Sequence, residues 1–195
     1  MGACFLAFFC FFAAEMSVAD CACSPEAEGA VSDTVETRRI GVISDTHDLL
    51  RPEALRALDG SDLILHAGDI CGPEVLQALR EIAPVIAVRG NNDHGPWADA
   101  LPETTVVELG TLSALMVHDL KTLRPGAVRD VQVVISGHSH QPKKETRDGV
   151  LYFNPGSAGP RRFTLPISIG RLDVSGDRLR ASLVDLGARG RGGGT

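Results

Sequence analysis

The chain has 195 residues, 44% hydrophobic and 23% charged, with a formal net charge of −6. That composition fits an ordinary globular protein with room for one domain and a sizeable core. The acidic balance excludes a broad nucleic-acid surface, which needs clustered Lys and Arg, but not a small phosphate site made positive by bound metal.

Residues 3–14, ACFLAFFCFFAA, are wholly apolar. As a helix they fall short of the roughly 20 residues that span a bilayer, so no stable membrane span is expected. No Lys or Arg precedes them, as a secretory signal would require, although Ser17-Val18-Ala19 resembles a small-residue cleavage site. The favoured reading is a non-native upstream extension on a cytoplasmic protein. Residues 24–37 are small, polar and acidic, and read as a linker. Cys4, Cys10, Cys21 and Cys23 precede this linker, and only Cys71 lies in the body, so no disulfide framework is expected. Cys21 and Cys23 have no second pair to close a zinc site. The expected organisation is an extension over 1–37, a domain over 38–187 and a disordered tail over 188–195.

RRIGVISDTH, from Arg38, begins with apolar β-branched residues and ends polar, as a buried strand running into a loop does. PEALRALDG (52–60) predicts a helix with Pro at its start and Gly after its end. SDLILHAGD (61–69), PEVLQALREI (73–82) and PVIAVRGNND (84–93) repeat strand, helix and strand. This alternation predicts parallel strands joined by crossovers, with polar tips along the carboxyl edge where α/β sites collect. The second half is mostly β. TTVVEL (104–109) and TLSALMVH (111–118) flank Gly110, and VQVVISGHSH (131–140) is another buried strand with a polar end. Residues 143–156 turn at Asp148-Gly149, and 167–186 turn at Gly176-Asp177. Two packed sheets with helices outside are expected.

Five predicted strand ends carry candidate ligands: Asp45 with His47, Asp69, Asn91, His118, and His138 with His140. Singly each is weak. A histidine after a strand is usually a surface or core residue, and G-D and G-N-N-D are common turns. Together they supply two carboxylates, four imidazoles and one amide. Extended backbone would project residues i and i+2 to one side, presenting Asp45 with His47 and His138 with His140. Mixed nitrogen and oxygen donors suit manganese, iron, zinc or nickel. Seven donors exceed one tetrahedral ion and suit two ions sharing a carboxylate.

This series, D-x-H (45–47), G-D (68–69), G-N-N-D (90–93), His118 and G-H-S-H (137–140), resembles the calcineurin-like metallophosphoesterases. NPGS (154–157) resembles their small bacterial phosphodiesterase branch, which is similar in fold to a retromer subunit with a degenerate site. The resemblance covers roughly residues 39–186. It implies a four-layer α/β/β/α sandwich and two divalent cations, manganese foremost, with iron, nickel or zinc as alternatives. It further implies that Asp45, His47 and His140 hold the first ion, that Asn91, His118 and His138 complete the second, and that Asp69 bridges both. The implied activity is hydrolysis of a small phosphodiester by a metal-activated water, with Asp69 and Asn92 as catalytic residues. The alternatives are a phosphomonoesterase, or a non-catalytic binding module on the same fold.

Two positions depart from the family pattern. Asn92 stands where many members have a histidine that protonates the leaving group, and His94 is the candidate substitute. The fourth motif, often H-G-H, reads His118-Asp119-Leu120. His66 reads as structural, Asp93 as a turn cap, and Asn154 and Ser157 as shaping the site rim. Arg161 and Arg162 are either phosphate contacts or a solvated pair. Oligomeric state has no signature in the sequence.

Overall fold

The computed structural model describes residues 36–187. The apolar segment, four of the cysteines, the linker up to residue 35 and the tail 188–195 lie outside the described residues.

The first sheet begins with β1 (Arg38–Ile43), α1 (Pro52–Leu58), β2 (Leu63–His66), α2 (Pro73–Arg80) and β3 (Val85–Ala87). The three strands are parallel, with Ile40 opposite Leu63 and Ile64 opposite Val85. β9 (Ser168–Ser175) returns antiparallel beside β1, and β10 (Arg178–Asp185) pairs antiparallel with β9, giving the order β10-β9-β1-β2-β3. The second sheet holds β4 (Thr104–Leu109), β5 (Leu112–Val117), β6 (Val133–Ile135), β7 (Lys143–Arg147) and β8 (Val150–Asn154). Its order is β4-β5-β6-β8-β7, with β5, β6 and β8 parallel.

Period-2 alternation assigns each strand two faces. Val42, Leu65, Met116, Ile135, Phe153 and Leu172 meet between the sheets in the main core. Ile43, Ile64 and Ile169 point the other way, onto Leu58, Leu76 and Leu79 of the helices. Helices α1 and α2 have 7 and 8 residues, too few to persist alone in water. Each starts with Pro at its first turn, carries Glu53 or Glu74 there and ends near Arg56 or Arg80, matching the helix dipole. Burial supplies the rest, at about 2 kcal/mol for each fully buried leucine. The outer layer on the second sheet is thin. Among the described residues, Leu123 and Val128, in the segment that follows the 3-10 turn Leu120–Thr122, pack on Leu115 and Val134.

The short helix α3 (Pro96–Asp99) is absent from the sequence reading, because four residues carry no periodicity. The predicted strands also overshoot. β3 stops at Ala87 and β6 at Ile135, so Asn91 and His138 lie in loops beyond the strand ends. Among the described residues no helix is long and apolar enough to cross a membrane.

Candidate metal centre

The polar loops after β1, β2, β3, β5 and β6 converge at the carboxyl edges of the two sheets. Backbone hydrogen bonds continue the parallel ladder past the strands, with Asp45 N–H donating to the Gly68 carbonyl at 3.0 Å and His47 N–H to that of Asp69 at 3.0 Å. Bonds between the sheets fix the two halves. His138 N–H donates to Asp45 Oδ2 at 3.2 Å, and His118 Nδ1–H donates to the Ala67 carbonyl at 2.7 Å.

The extended-backbone explanation for the paired ligands is wrong. Asp45, His47, Asp69, His138 and His140 all have positive φ, in the left-handed region that side chains disfavour. Left-handed turns, not pleating, aim these groups. Asp45 and His47 therefore share one cluster, whereas His138 and His140 separate.

In the first cluster, ligand-type atoms of Asp45, His47 and His140 lie within 4.8 Å of one another. His47 Nε2 is 3.4 Å from His140 Nε2, which is 3.2 Å from Asp45 Oδ1. In the second, the Asn91 side-chain oxygen is 3.1 Å from His118 Nε2 and 2.9 Å from His138 Nδ1. Asp69 stands between them, with Oδ2 3.7 Å from His47 Nε2 and Oδ1 3.4 Å from His118 Nε2.

These residues fit divalent cations. Asp45 is fully buried, and its Oδ1 has no hydrogen-bond partner among the described residues, as has His140 Nδ1. An orphaned buried carboxylate oxygen is costly unless a cation faces it. The Ala67 carbonyl places the His118 hydrogen on Nδ1, leaving the Nε2 lone pair aimed at the centre, as outer partners of metal-bound histidines do. Burial holds the His47 pKa below the ordinary histidine value despite Asp69 and Asp45, so its ring is available as a neutral ligand. Burial opposes charge on His118, but Asp69 and the Ala67 carbonyl outweigh it and raise that pKa. Burial likewise opposes charge on Asp69, but the neighbouring His118 ring and hydrogen bonds from the Asn92 amides hold its carboxyl well below the usual range.

The supporting residues explain the motifs. Asp93 is 3% exposed and accepts four backbone N–H bonds: from Ile70 and Cys71 at 2.7 Å each, Gly90 at 2.7 Å and Asp69 at 3.1 Å. A Cβ at Gly90 would strike the Asp69 backbone, and one at Gly137 would strike the Ser44 hydroxyl, so both motifs need glycine for close approach. Asn154 lines a cavity beside His138, and its Nδ2 donates to the Gly137 carbonyl at 2.7 Å. Ser157 is instead buried behind the loops, where its Oγ donates to the Asp45 carbonyl at 2.9 Å. Asn92 donates its backbone and side-chain amides to the two Asp69 oxygens, at 2.8 and 2.6 Å. Exposed His94 lines a cavity of about 520 Å³ beside Asn91 and His118. Arg162 Nη2 reaches to 3.3 Å from His47 Nε2, whereas Arg161 makes no hydrogen bond or ion pair among the described residues.

Two supports have no motif. Cys71 Sγ is 3.6 Å from His47 Nδ1, and burial pushes its thiol up to about 11, so it is an inert neighbour. Thr46 is buried and meets His66, whose Nδ1 accepts from Gly68 N–H at 3.2 Å. Nε2 therefore carries the His66 hydrogen and points it at Thr46 Oγ1, 3.1 Å away.

Burial depresses the His66 pKa to about 4 from 6.5. As pH falls through that window, the unfolded chain takes up a proton that the folded chain refuses. The contribution is complete above 6.5, and about 3 kcal/mol is lost by pH 4. Urea unfolding at about pH 7 and about pH 5 should show this slope in the wild type and a shallower one in His66→Gln. Parallel slopes would remove His66 as its source.

Carboxylates and imidazoles whose lone pairs converge at one edge of two packed sheets form the donor set of a metal-dependent enzyme. The chain belongs to the calcineurin-like phosphoesterase superfamily, whose domain model matches residues 39–177. It is similar to a probable metallophosphoesterase of Methanothermobacter thermautotrophicus, with 36% identity over 76% of this chain and 93% of the relative. A solved archaeal phosphodiesterase matches with a TM-score of 0.63 and 28% identity, over 75% of this chain and 99% of that one. Vps29 from Chaetomium thermophilum matches at TM-score 0.64 and 22% identity, over 75% and 97%, which shows the fold alone. The chain is accordingly a metal-dependent phosphoesterase that uses divalent metal ions.

Proposed function

We propose that the chain hydrolyses small phosphodiesters with two divalent cations, manganese being the first choice. Asp45, His47 and His140 hold one ion, Asn91, His118 and His138 hold the other, and Asp69 bridges them. The placement of Asp69 carries this reading, because its two oxygens face histidines of different clusters at 3.7 and 3.4 Å. The relative described as an archaeal phosphodiesterase supports the substrate class.

When bound, the cations supply Lewis acidity that makes water nucleophilic near neutral pH and offsets phosphate charge. The chain contributes position and hydrogen bonds. Asn92, already donating to Asp69, can turn its amide to a phosphoryl oxygen but cannot give up a proton. Leaving groups that need protonation therefore react slowly, because a missing general acid costs about 10²-fold or more. Arg162 reaches the first cluster and can pair with a phosphate oxygen as an always-charged donor.

The test uses metal-stripped protein reloaded with Mn²⁺, Zn²⁺, Ni²⁺ or Mg²⁺. Metal content and turnover of bis(p-nitrophenyl) phosphate and p-nitrophenyl phosphate are measured. We expect metal-dependent turnover, fastest with Mn²⁺ and faster for the diester, and its loss in His138→Ala. A monoester cleaved much faster than the diester would overturn the substrate ranking. Bound metal with no turnover of either ester would favour the binding module.

A further inference from the structure

Two cavities meet at His138 and Asp119, and their charges differ. The cavity of about 520 Å³ beside Asn91 and His118 is lined by Arg89, whose guanidinium pairs with Asp99 at 3.3 Å and Glu103 at 2.7 Å. Asp93 and Asp119 also border it, leaving its lining net negative. The neighbouring cavity, about 400 Å³, is lined by Lys121, Lys143 and Arg147 against a single acidic residue, Asp119. Glu145, outside that lining, pairs with Lys143 at 2.6 Å and Arg147 at 2.8 Å and offsets one of the positive charges. Lys121 has no ion-pair partner among the described residues. The Arg147 guanidinium lies 5.0 Å over the Tyr152 ring, which pre-positions it.

A diester has two arms. His138 borders both cavities, so a phosphate held beside it can send one arm into each. The positive lining stands out on a chain of net charge −6, and a concave wall focuses its field. We propose that the Lys121–Lys143–Arg147 cavity is a subsite for a diester arm that itself carries an anionic group such as a phosphate. The departing arm then occupies the acidic cavity, where His94 stands. This inference rests on the phosphodiesterase reading and adds the substrate class and its orientation.

The test compares two substrates with one leaving group: the p-nitrophenyl ester of thymidine 5′-phosphate, with and without a 3′-phosphate. Mn²⁺-loaded wild type should favour the 3′-phosphorylated ester about tenfold in kcat/KM, mainly through KM, and rising ionic strength should erode that preference. The ratio between the two esters should fall to near one in the Lys143→Gln/Arg147→Gln double variant. It should persist in Lys144→Gln, which removes one positive charge from the other face of β7, where Lys144 bonds the Ala181 carbonyl. Both esters cleaved at equal efficiency by the wild type, or a preference that survives the double substitution, would overturn the subsite and leave the diesterase reading standing. Absence of metal-dependent turnover of either ester would overturn both.

Discussion

An Asp69→Asn variant should retain fewer than two metal ions per chain and lose about 10²–10³-fold in turnover of bis(p-nitrophenyl) phosphate, comparable to removing one electrostatic stabiliser from an active site. The substitution preserves size and removes one negative charge that faces both clusters. It also places an amide N–H against a histidine lone pair, at His47 Nε2 or His118 Nε2, where a cation is expected. The fold should survive, because Asp93 rather than the Asp69 side chain anchors this loop's backbone. Metal analysis after exhaustive dialysis, beside the rate, distinguishes lost binding from lost chemistry. Two ions retained with turnover within tenfold of wild type would refute the bridging role.

Asp93→Ala should be the most damaging change outside the ligand set. Four backbone N–H groups point at one buried carboxylate, and alanine leaves all of them without an acceptor. Unsatisfied buried donors cost about 1–3 kcal/mol each before relaxation, so a net loss of about 3–5 kcal/mol is expected. For a domain of this size that is a fall of roughly 10 °C or more in Tm. Asp93→Asn keeps one acceptor and turns an amide toward the remaining donors, so it should lose about half as much. Thermal unfolding of the metal-free proteins checks the order. An Asp93→Ala chain as stable as wild type would mean that the loop finds other acceptors.

The fold was legible where chemistry is local. Apolar runs ending in polar residues marked β1, β2 and β3, and Asp148-Gly149 marked the hairpin between β7 and β8. The candidate ligands were legible for the same reason, since each follows such a run. What holds them was not. The Asn154 bond to Gly137 joins the ends of neighbouring strands 17 residues apart, the Ser157 bond to Asp45 joins the two sheets across 112 residues, and no spacing rule reaches either. The sign of φ was equally hidden, because Asp and His, although enriched in left-handed backbone, adopt it at only a minority of their positions. His140 was assigned to the partners it faces, but for a reason that β-pleating does not supply.

Those five left-handed positions bear on how the chain can change. A side chain there works against its own backbone, by about 1 kcal/mol or more, and glycine would relieve it. Asp45 and Asp69 also accept backbone N–H bonds from His138 and Asn92, but among the described residues no such bond holds the three histidine rings, so function alone keeps His47, His138 and His140 in place and drift away from them runs downhill in stability. A descendant relieved of catalysis could shed those histidines, keep both sheets and become harder to unfold.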